Sequence, residues 1–280
     1  MKLVHISDIH INAAKILGSD PVANFECCLH HVKTHHSDAD KIVISGDLTH
    51  HGHEQSYRKL RHMLQQFGFV GSLTPQLLIG NHDDRETFLK IFSESQRDED
   101  GFVQWAEDTP LGTFIYLDTN EPGTHAGHYC EKRQEWLRDA LETARALNQP
   151  AWIFMHHNPV PVHVANADII GIVQQQVLAR LFADYKGIVR HIFFGHCHFS
   201  LSGSLAGIPI SAPRSTSHPN WPEFSGNKNL MGYGPIAPNY NVCFLGNEYT
   251  TIHSIDFLEQ DNIIWQETKD DGWIEEEERA

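Results

Sequence analysis

Short apolar runs alternate with amphipathic stretches along most of the chain. Residues 3–7, 41–45 and 76–79 are β-type runs, and residues 22–36 and 54–67 between them space their apolar positions as a helix does. Pro75 opens the third run, where a missing N–H costs least. The same alternation returns with strands at 113–118, 151–155 and 191–194 and helices at 131–147 and 169–185. After Gly195 the helical spacing stops. Residues 199–205, 208–211, 241–245 and 250–257 are short β-type runs with no helix between them, which predicts a second sheet packed on the first. The fold class this implies is α/β, with two sheets in a sandwich.

Residues 213–240 break the pattern. They are rich in Pro, Gly, Ser and Asn, lack periodicity and are long for a connector, which marks a loop or lid on the substrate side. Residues 271–280 end in Glu-Glu-Glu-Glu-Arg-Ala and are expected as an acidic tail on a single domain over residues 1–270. No apolar run approaches the ~18 residues of a membrane-spanning helix. The N-terminal strand leaves no room for a secretory signal, and five cysteines without a Cys-x-x-Cys pair suit a reducing compartment, so a cytoplasmic location is expected. The net charge of −15 repels polyphosphate backbones, which disfavours nucleic acid and membrane surfaces as partners and favours a small substrate. Homo-oligomerisation is left open by the sequence. Against this acidity stand 21 histidines, as many as lysine and arginine together, and imidazole is the commonest transition-metal ligand.

The histidines and carboxylates that matter follow apolar runs. Asp8 and His10 come after the first strand, Asp47 after the second, and Asn81, His82 and Asp83 after the third; His156 follows residues 151–155, and His196 and His198 follow residues 191–194. Open α/β sheets place their sites at these strand ends. In Asp-x-His and His-x-His, residues i and i+2 of an extended segment face the same way, so one short stretch supplies two donors. Asp8, His10, Asp47, Asn81, His156, His196 and His198 offer oxygen and nitrogen and no sulfur. Such a set exceeds one tetrahedral zinc and suits two adjacent divalent ions, Mn, Fe or Zn, with one carboxylate between them. Alternation turns Cys197 away, so it is expected to pack.

Asp-x-His at 8–10, Gly-Asp at 46–47, Gly-Asn-His-Asp at 80–83, the strand-terminal His156 and Gly-His-x-His at 195–198 occur in this order. They resemble the signature blocks of the calcineurin-like metallophosphoesterase superfamily over about residues 3–211. The resemblance implies an α/β/β/α sandwich of two sheets with a dinuclear metal site at the C-terminal ends of the strands. It implies that Asp8, His10 and His198 hold one ion, that Asn81, His156 and His196 hold the other, and that Asp47 bridges them. His82 would then donate a proton to the leaving alkoxide, Asp83 would orient its ring, and Asn81, His82 and His198 would face the bound phosphoryl group. The chain departs from the Ser/Thr protein phosphatases, whose blocks read Gly-Asp-x-x-Asp-Arg-Gly and Gly-Asn-His-Glu. Gly-Asp-Leu-x-x-x-Gly at 46–52 and residues 207–217 are more similar to the class III cyclic-nucleotide phosphodiesterases and their glycerophosphodiesterase relatives.

Two cations about 3.5–4 Å apart lower the pKa of a shared water, so that a bridging hydroxide attacks phosphorus near neutral pH. The expected activity is hydrolysis of small phosphodiesters, 3′,5′-cyclic nucleotides first, with glycerophosphodiesters as the nearest alternative. A metal-dependent nuclease is opposed by the acidity, and a non-catalytic scaffold by the full donor set. A histidine-rich metal buffer would bind many ions weakly and hydrolyse nothing. Arg214 is the one arginine expected near the cleft, where a monoesterase would need cationic clamps. Trp221, Phe224, Tyr233 and Tyr240 are either faces for a base or packing anchors. His157 reads as structural, and His30, His31, His35, His36, His50, His51 and His53 as solvated or loop residues, with His50 or His51 against the cleft.

Overall fold

The computed structural model describes residues 1–258 and 263–264, so the expected acidic tail at 271–280 lies outside the described residues. The first half runs β1 (Lys2–Ile6), α1 (Pro21–His35), β2 (Lys41–Ser45), α2 (Glu54–Gln66), β3 (Gln76–Leu78) and α3 (Arg85–Ile91). A second unit of the same kind follows: β4 (Trp105–Thr109), β5 (Gly112–Tyr116), α4 (Glu131–Ala146), β6 (Ala151–Phe154), α5 (Ala165–Asp168), α6 (Gln175–Asp184) and β7 (Val189–Phe193). Then come β8 (Leu201–Leu205), β9 (Ile208–Ala212), the two-residue strands β10 (Asn220–Trp221) and β11 (Gly232–Tyr233), β12 (Asn239–Leu245) and β13 (Thr250–Asp256).

The two sheets have the orders β13-β12-β1-β2-β3 and β4-β5-β6-β7-β9-β8. Two sheets were expected, but the late strands do not form the second one. Each βα half builds its own sheet, with β1, β2 and β3 parallel in one and β5, β6 and β7 parallel in the other. The late strands cover what would otherwise be open edges beside β1 and β7: β12 pairs antiparallel with β1, and β9 pairs parallel with β7. The predicted helix at 169–185 is shorter, α6 alone, because Ile172 is drawn into a single bridge with Gly127; the four-residue α5 ends before the predicted range. Strand β4 and helix α3 had no predicted counterpart. Both are short, and β4 is an edge strand whose middle residues are partly exposed, so neither carries an apolar run.

Period-two alternation decides what lies between the sheets. Phe114, Tyr116, Trp152, Phe154 and Phe193 join one buried cluster with Leu3, Val43 and Ile44 of the first sheet and with α1 and α2. Their neighbours Ile115, Ile153, Met155, Ile192 and Phe194 join a second cluster with Leu137 and Leu141 of α4 and Leu178 and Phe182 of α6. Aromatic rings therefore fill the space between sheets, where Phe154 stacks on Tyr116 and on Phe193 at 5.0 Å, while the aliphatic face is covered by helices. The layers read helix, sheet, sheet, helix. The helices are set by local chemistry: Asp20 caps α1 by accepting from Ala23 N–H at 3.1 Å with Pro21 at the first helical position, and Asp84 caps α3 by accepting from Thr87 N–H at 2.8 Å. Among the described residues no helix is long and apolar enough to cross a membrane.

Candidate metal centre

All five sequence blocks sit just beyond the C-terminal ends of β1, β2, β3, β6 and β7, where the two sheets come together. The strand pairing continues past β1 and β2, with His10 N–H donating to Asp47 O at 2.9 Å and Ile11 N–H to Leu48 O at 3.0 Å. These segments are not extended as the i, i+2 argument requires. Asp8, His10, Asp47, His196 and His198 all have positive φ, between 45° and 68°. The left-handed region is uncommon for non-glycine residues, although Asp and His tolerate it better than most. It curls each segment back, so that the paired side chains return to one centre. Gly80 is required for close approach: a Cβ there would lie 2.3 Å from Asp47 Oδ1 and 2.6 Å from His156 Nε2.

The seven expected donors converge. Asp47 Oδ2 is 3.4 Å from His10 Nε2, while Oδ1 of the same carboxylate is 3.4 Å from His156 Nε2. On one side His10 Nε2 lies 3.0 Å from His198 Nε2, which lies 3.4 Å from Asp8 Oδ1. On the other, Asn81 Oδ1 is 3.2 Å from His156 Nε2 and 2.9 Å from His196 Nδ1. Asp8, His10, Asp47, His156, His196 and His198 are buried, and Asn81 is half-buried.

The tautomers test whether cations fit here. His156 Nδ1 donates to Ser45 O at 2.8 Å and His198 Nδ1 donates to His218 O at 3.0 Å, so the lone pairs of both neutral rings sit on Nε2. Those lone pairs face oxygens that can only accept: Asp47 Oδ1 and Asn81 Oδ1 for His156, Asp8 Oδ1 for His198. Such a convergence of buried lone pairs is satisfied by a cation or by an added proton. The donor set of imidazole, carboxylate and amide oxygen matches divalent ions of intermediate hardness. In the protein alone, protons take that part. Burial opposes the Asp47 charge, yet the His156 and His10 imidazoles hold its carboxyl well below the usual range. Burial likewise disfavours a proton on His156, which Asp47 nevertheless raises to about 9.

His82 follows Asn81 and donates Nδ1–H to His50 O at 2.9 Å, with its backbone N–H on Asp47 Oδ1 at 2.9 Å. Asp83 does not orient this ring, contrary to expectation. Its oxygens accept instead from Leu48 N–H, Thr49 N–H, Thr49 Oγ1–H, Gly80 N–H and the Tyr57 hydroxyl, which turns the carboxylate into the protein and away from His82. Burial, and then the Asp47 charge, raises Asp83 to about 6. His50 lines the site as expected, stacked on His82 at 5.0 Å, and burial pushes its ring down to about 4.

One expectation for the surroundings is corrected, that of His31 as a solvated residue. Tyr240 is fully buried in β12 against His31, at 2.5 Å from its Nδ1, so neither residue belongs to a solvated or substrate-facing loop. Arg214 is paired with Asp256. Residues 213–240 carry the β10–β11 ribbon, which leaves Trp221, Phe224 and Tyr233 exposed. A cavity of about 160 Å³ runs from Asp47, Asn81, His82, His196 and His198 to Trp221 and Met231. The sequence reading missed His218, whose ring centroid is 4.7 Å from that of His10, and His125, which lies 2.9 Å from Asn81 Nδ2. Both lie in loops with no periodic pattern; His218 directly follows the stretch 207–217, whereas His125 follows only the predicted strand at 113–118.

The calcineurin-like phosphoesterase family profile matches residues 1–200, which include all seven converging donors. A probable cyclic nucleotide phosphodiesterase of Rhodopseudomonas palustris is 34% identical over 268 residues, covering 92% of this chain and 93% of that protein. A glycerophosphodiester phosphodiesterase of Enterobacter lignolyticus is 29% identical over 210 residues, covering 71% of each. Among solved structures, a dimetal phosphatase from Danio rerio shares the fold with a TM-score of 0.68 at 12% identity, over 92% of this chain and 97% of that one. The strand-end blocks, the two-sheet sandwich and these likenesses agree: the chain belongs to the calcineurin-like phosphoesterase family.

Proposed function

We propose that this protein is a phosphodiesterase that hydrolyses small phosphodiesters, 3′,5′-cyclic nucleotides first among them, using two divalent ions of the Mn, Fe or Zn class. The observation that carries the reading is Asp47, whose two oxygens face two separate sets of donors at 3.4 Å each. Asp8, His10 and His198 would hold one ion and Asn81, His156 and His196 the other, with Asp47 shared. When bound, such ions activate water and neutralise phosphoryl oxygens. The chain supplies the rest. His82 donates Nδ1–H to the His50 carbonyl, and in its imidazolium form it would carry a second proton on Nε2 to give to the departing alkoxide, leaving the neutral ring behind. Asn81, His82 and His198 line the cavity and would face the phosphoryl group.

The surroundings favour a diester. Among the described residues no lysine or arginine lines the cavity of about 160 Å³, and a monoester with nearly two charges would need such clamps. Trp221 and Met231 offer an apolar wall at the far end, suited to a base. The likeness to a probable cyclic nucleotide phosphodiesterase over nearly the whole chain supports that substrate class. Five free thiols suit a reducing, cytoplasmic setting. The test is turnover by the Mn²⁺-loaded protein of cyclic AMP, cyclic GMP, glycerophosphocholine, an aryl diester, an aryl monoester and single-stranded DNA. Cyclic nucleotides are expected to give the highest kcat/KM. A monoester cleaved faster than every diester overturns the proposal, and glycerophosphocholine far ahead of the cyclic nucleotides moves the substrate to that class.

A further inference from the structure

Metal-binding histidines are oriented by what their other ring nitrogen donates to, and that partner is usually a carboxylate, a carbonyl or water. His156 and His198 follow the rule, donating to Ser45 O at 2.8 Å and His218 O at 3.0 Å. His10 does not. Its Nε2 points at His198 Nε2 and Asp47 Oδ2, while its Nδ1 lies 3.3 Å from Nδ1 of His50, another imidazole. If His10 Nε2 is to offer a lone pair, its proton must be on Nδ1, and His50 Nδ1 must then be bare to accept it. The His50 proton is thereby placed on Nε2.

We propose that His50 is a positioning residue: by accepting from His10 Nδ1–H it fixes the tautomer and ring orientation of His10, and so sets the affinity of the ion position formed by Asp8, His10 and His198. This rests on the dinuclear reading of the site. Two further contacts hold His50 in place for the task. Its backbone N–H donates to Ile11 O at 3.4 Å, and its ring lies flat against His82 with an interplanar angle of 13°. The peptide carbonyl that accepts from His82 belongs to the same residue but survives any side-chain substitution. Replacing the ring therefore separates the effect on His10 from the hydrogen bond to His82.

The experiment measures metal uptake, not turnover. Wild type, His50→Ala and His50→Asn are stripped of metal, checked for native circular dichroism and thermal unfolding, and titrated with Zn²⁺ against a competing chelator. Wild type should take up two ions. His50→Ala should weaken one equivalent by about 10–100-fold and leave the other unchanged, the usual effect of losing such a partner. Asn places an oxygen acceptor near the position of Nδ1, and His50→Asn should return that equivalent to within about threefold of wild type. An alanine variant that binds both ions like wild type overturns the role of His50 alone, and so does an asparagine variant that is folded yet as weak as alanine. Fewer than two ions on the wild type overturns the dinuclear reading as well. Histidine ¹⁵N NMR of the Zn²⁺-loaded wild type needs no variant: it should show protons on His10 Nδ1 and His50 Nε2, and a proton on His50 Nδ1 defeats the inference.

Discussion

A histidine whose Nδ1–H is tied to a carbonyl can offer the Nε2 lone pair to a cation or, as the imidazolium, an Nε2 proton to a leaving group, and what faces Nε2 decides between the two. For His156 and His198 it is the carboxylates of Asp47 and Asp8; His82 instead borders the cavity. His82→Ala should therefore retain both ions by elemental analysis and lose about 10²–10⁴-fold in kcat on a cyclic nucleotide, with a smaller loss on a nitrophenyl diester, whose leaving group needs less help. Equal losses on both substrates would remove the acid role. Asp47→Ala should bind neither ion tightly and lose more than about 10²-fold in kcat/KM, because even an outer partner of a metal ligand contributes 10–100-fold. At this scale the sequence was largely readable: Asp8, His10, Asp47, Asn81, His156, His196 and His198 are distinctive types at strand ends, and all of them converge. The geometry that unites them was not readable. Positive φ at five of these residues leaves no mark in a pattern of apolar and polar positions, because Asp and His tolerate the left-handed region without requiring it.

Between β2 and α2 and between β3 and α3 the chain makes two turns that must keep register for Asp47 to meet Asn81. Asp83 joins them, accepting from the backbone of Leu48 and Thr49 on one turn and of Gly80 on the other, with the Tyr57 hydroxyl of α2 completing the set. Asp83→Ala leaves these buried donors without an acceptor and is expected to lower the stability of the Zn²⁺-loaded protein by about 3 kcal/mol in urea unfolding, with weaker binding of both ions. Unchanged stability would mean that water replaces the carboxylate at no cost. Gly80→Ala acts at the same junction: its Cβ cannot stand 2.3 Å from Asp47 Oδ1, so the variant should fold with its metal stoichiometry reduced, as elemental analysis would show. The sequence placed Asp83 beside His82 and so suggested a partnership with that ring. Adjacency misled because consecutive side chains on a tight turn diverge, and Asp83 turns inward to the amides while His82 turns to the His50 carbonyl.

The whole molecule surrounds a buried group of carboxylates and imidazoles with two apolar clusters, and its stability should depend on whether protons or cations neutralise that group. Without metal, Asp47 keeps a proton on His156, whose folded pKa of about 9 exceeds the ordinary value of 6.5, and Asp8 raises His198 in the same sense. A group raised on folding stabilises the native state fully below its unfolded pKa, and that contribution disappears as pH climbs through the folded value. The contribution of His156 to the chelated protein, on the order of 3 kcal/mol, should accordingly disappear between about pH 6.5 and 9.5. With Zn²⁺ bound, Nε2 of His156 has no proton to lose, so the decline should flatten, and the loaded form should gain a further ~2.7 kcal/mol at free metal a hundredfold above Kd. Urea unfolding of chelated and Zn²⁺-loaded protein across this range checks both slopes, with His156→Gln as the control: chelated wild type minus chelated His156→Gln isolates the contribution of this one ring. Parallel curves for the two forms would mean that the proton on His156 and the bound ion do not share one nitrogen, and the assignment of His156 as a ligand would then fail together with the pH argument.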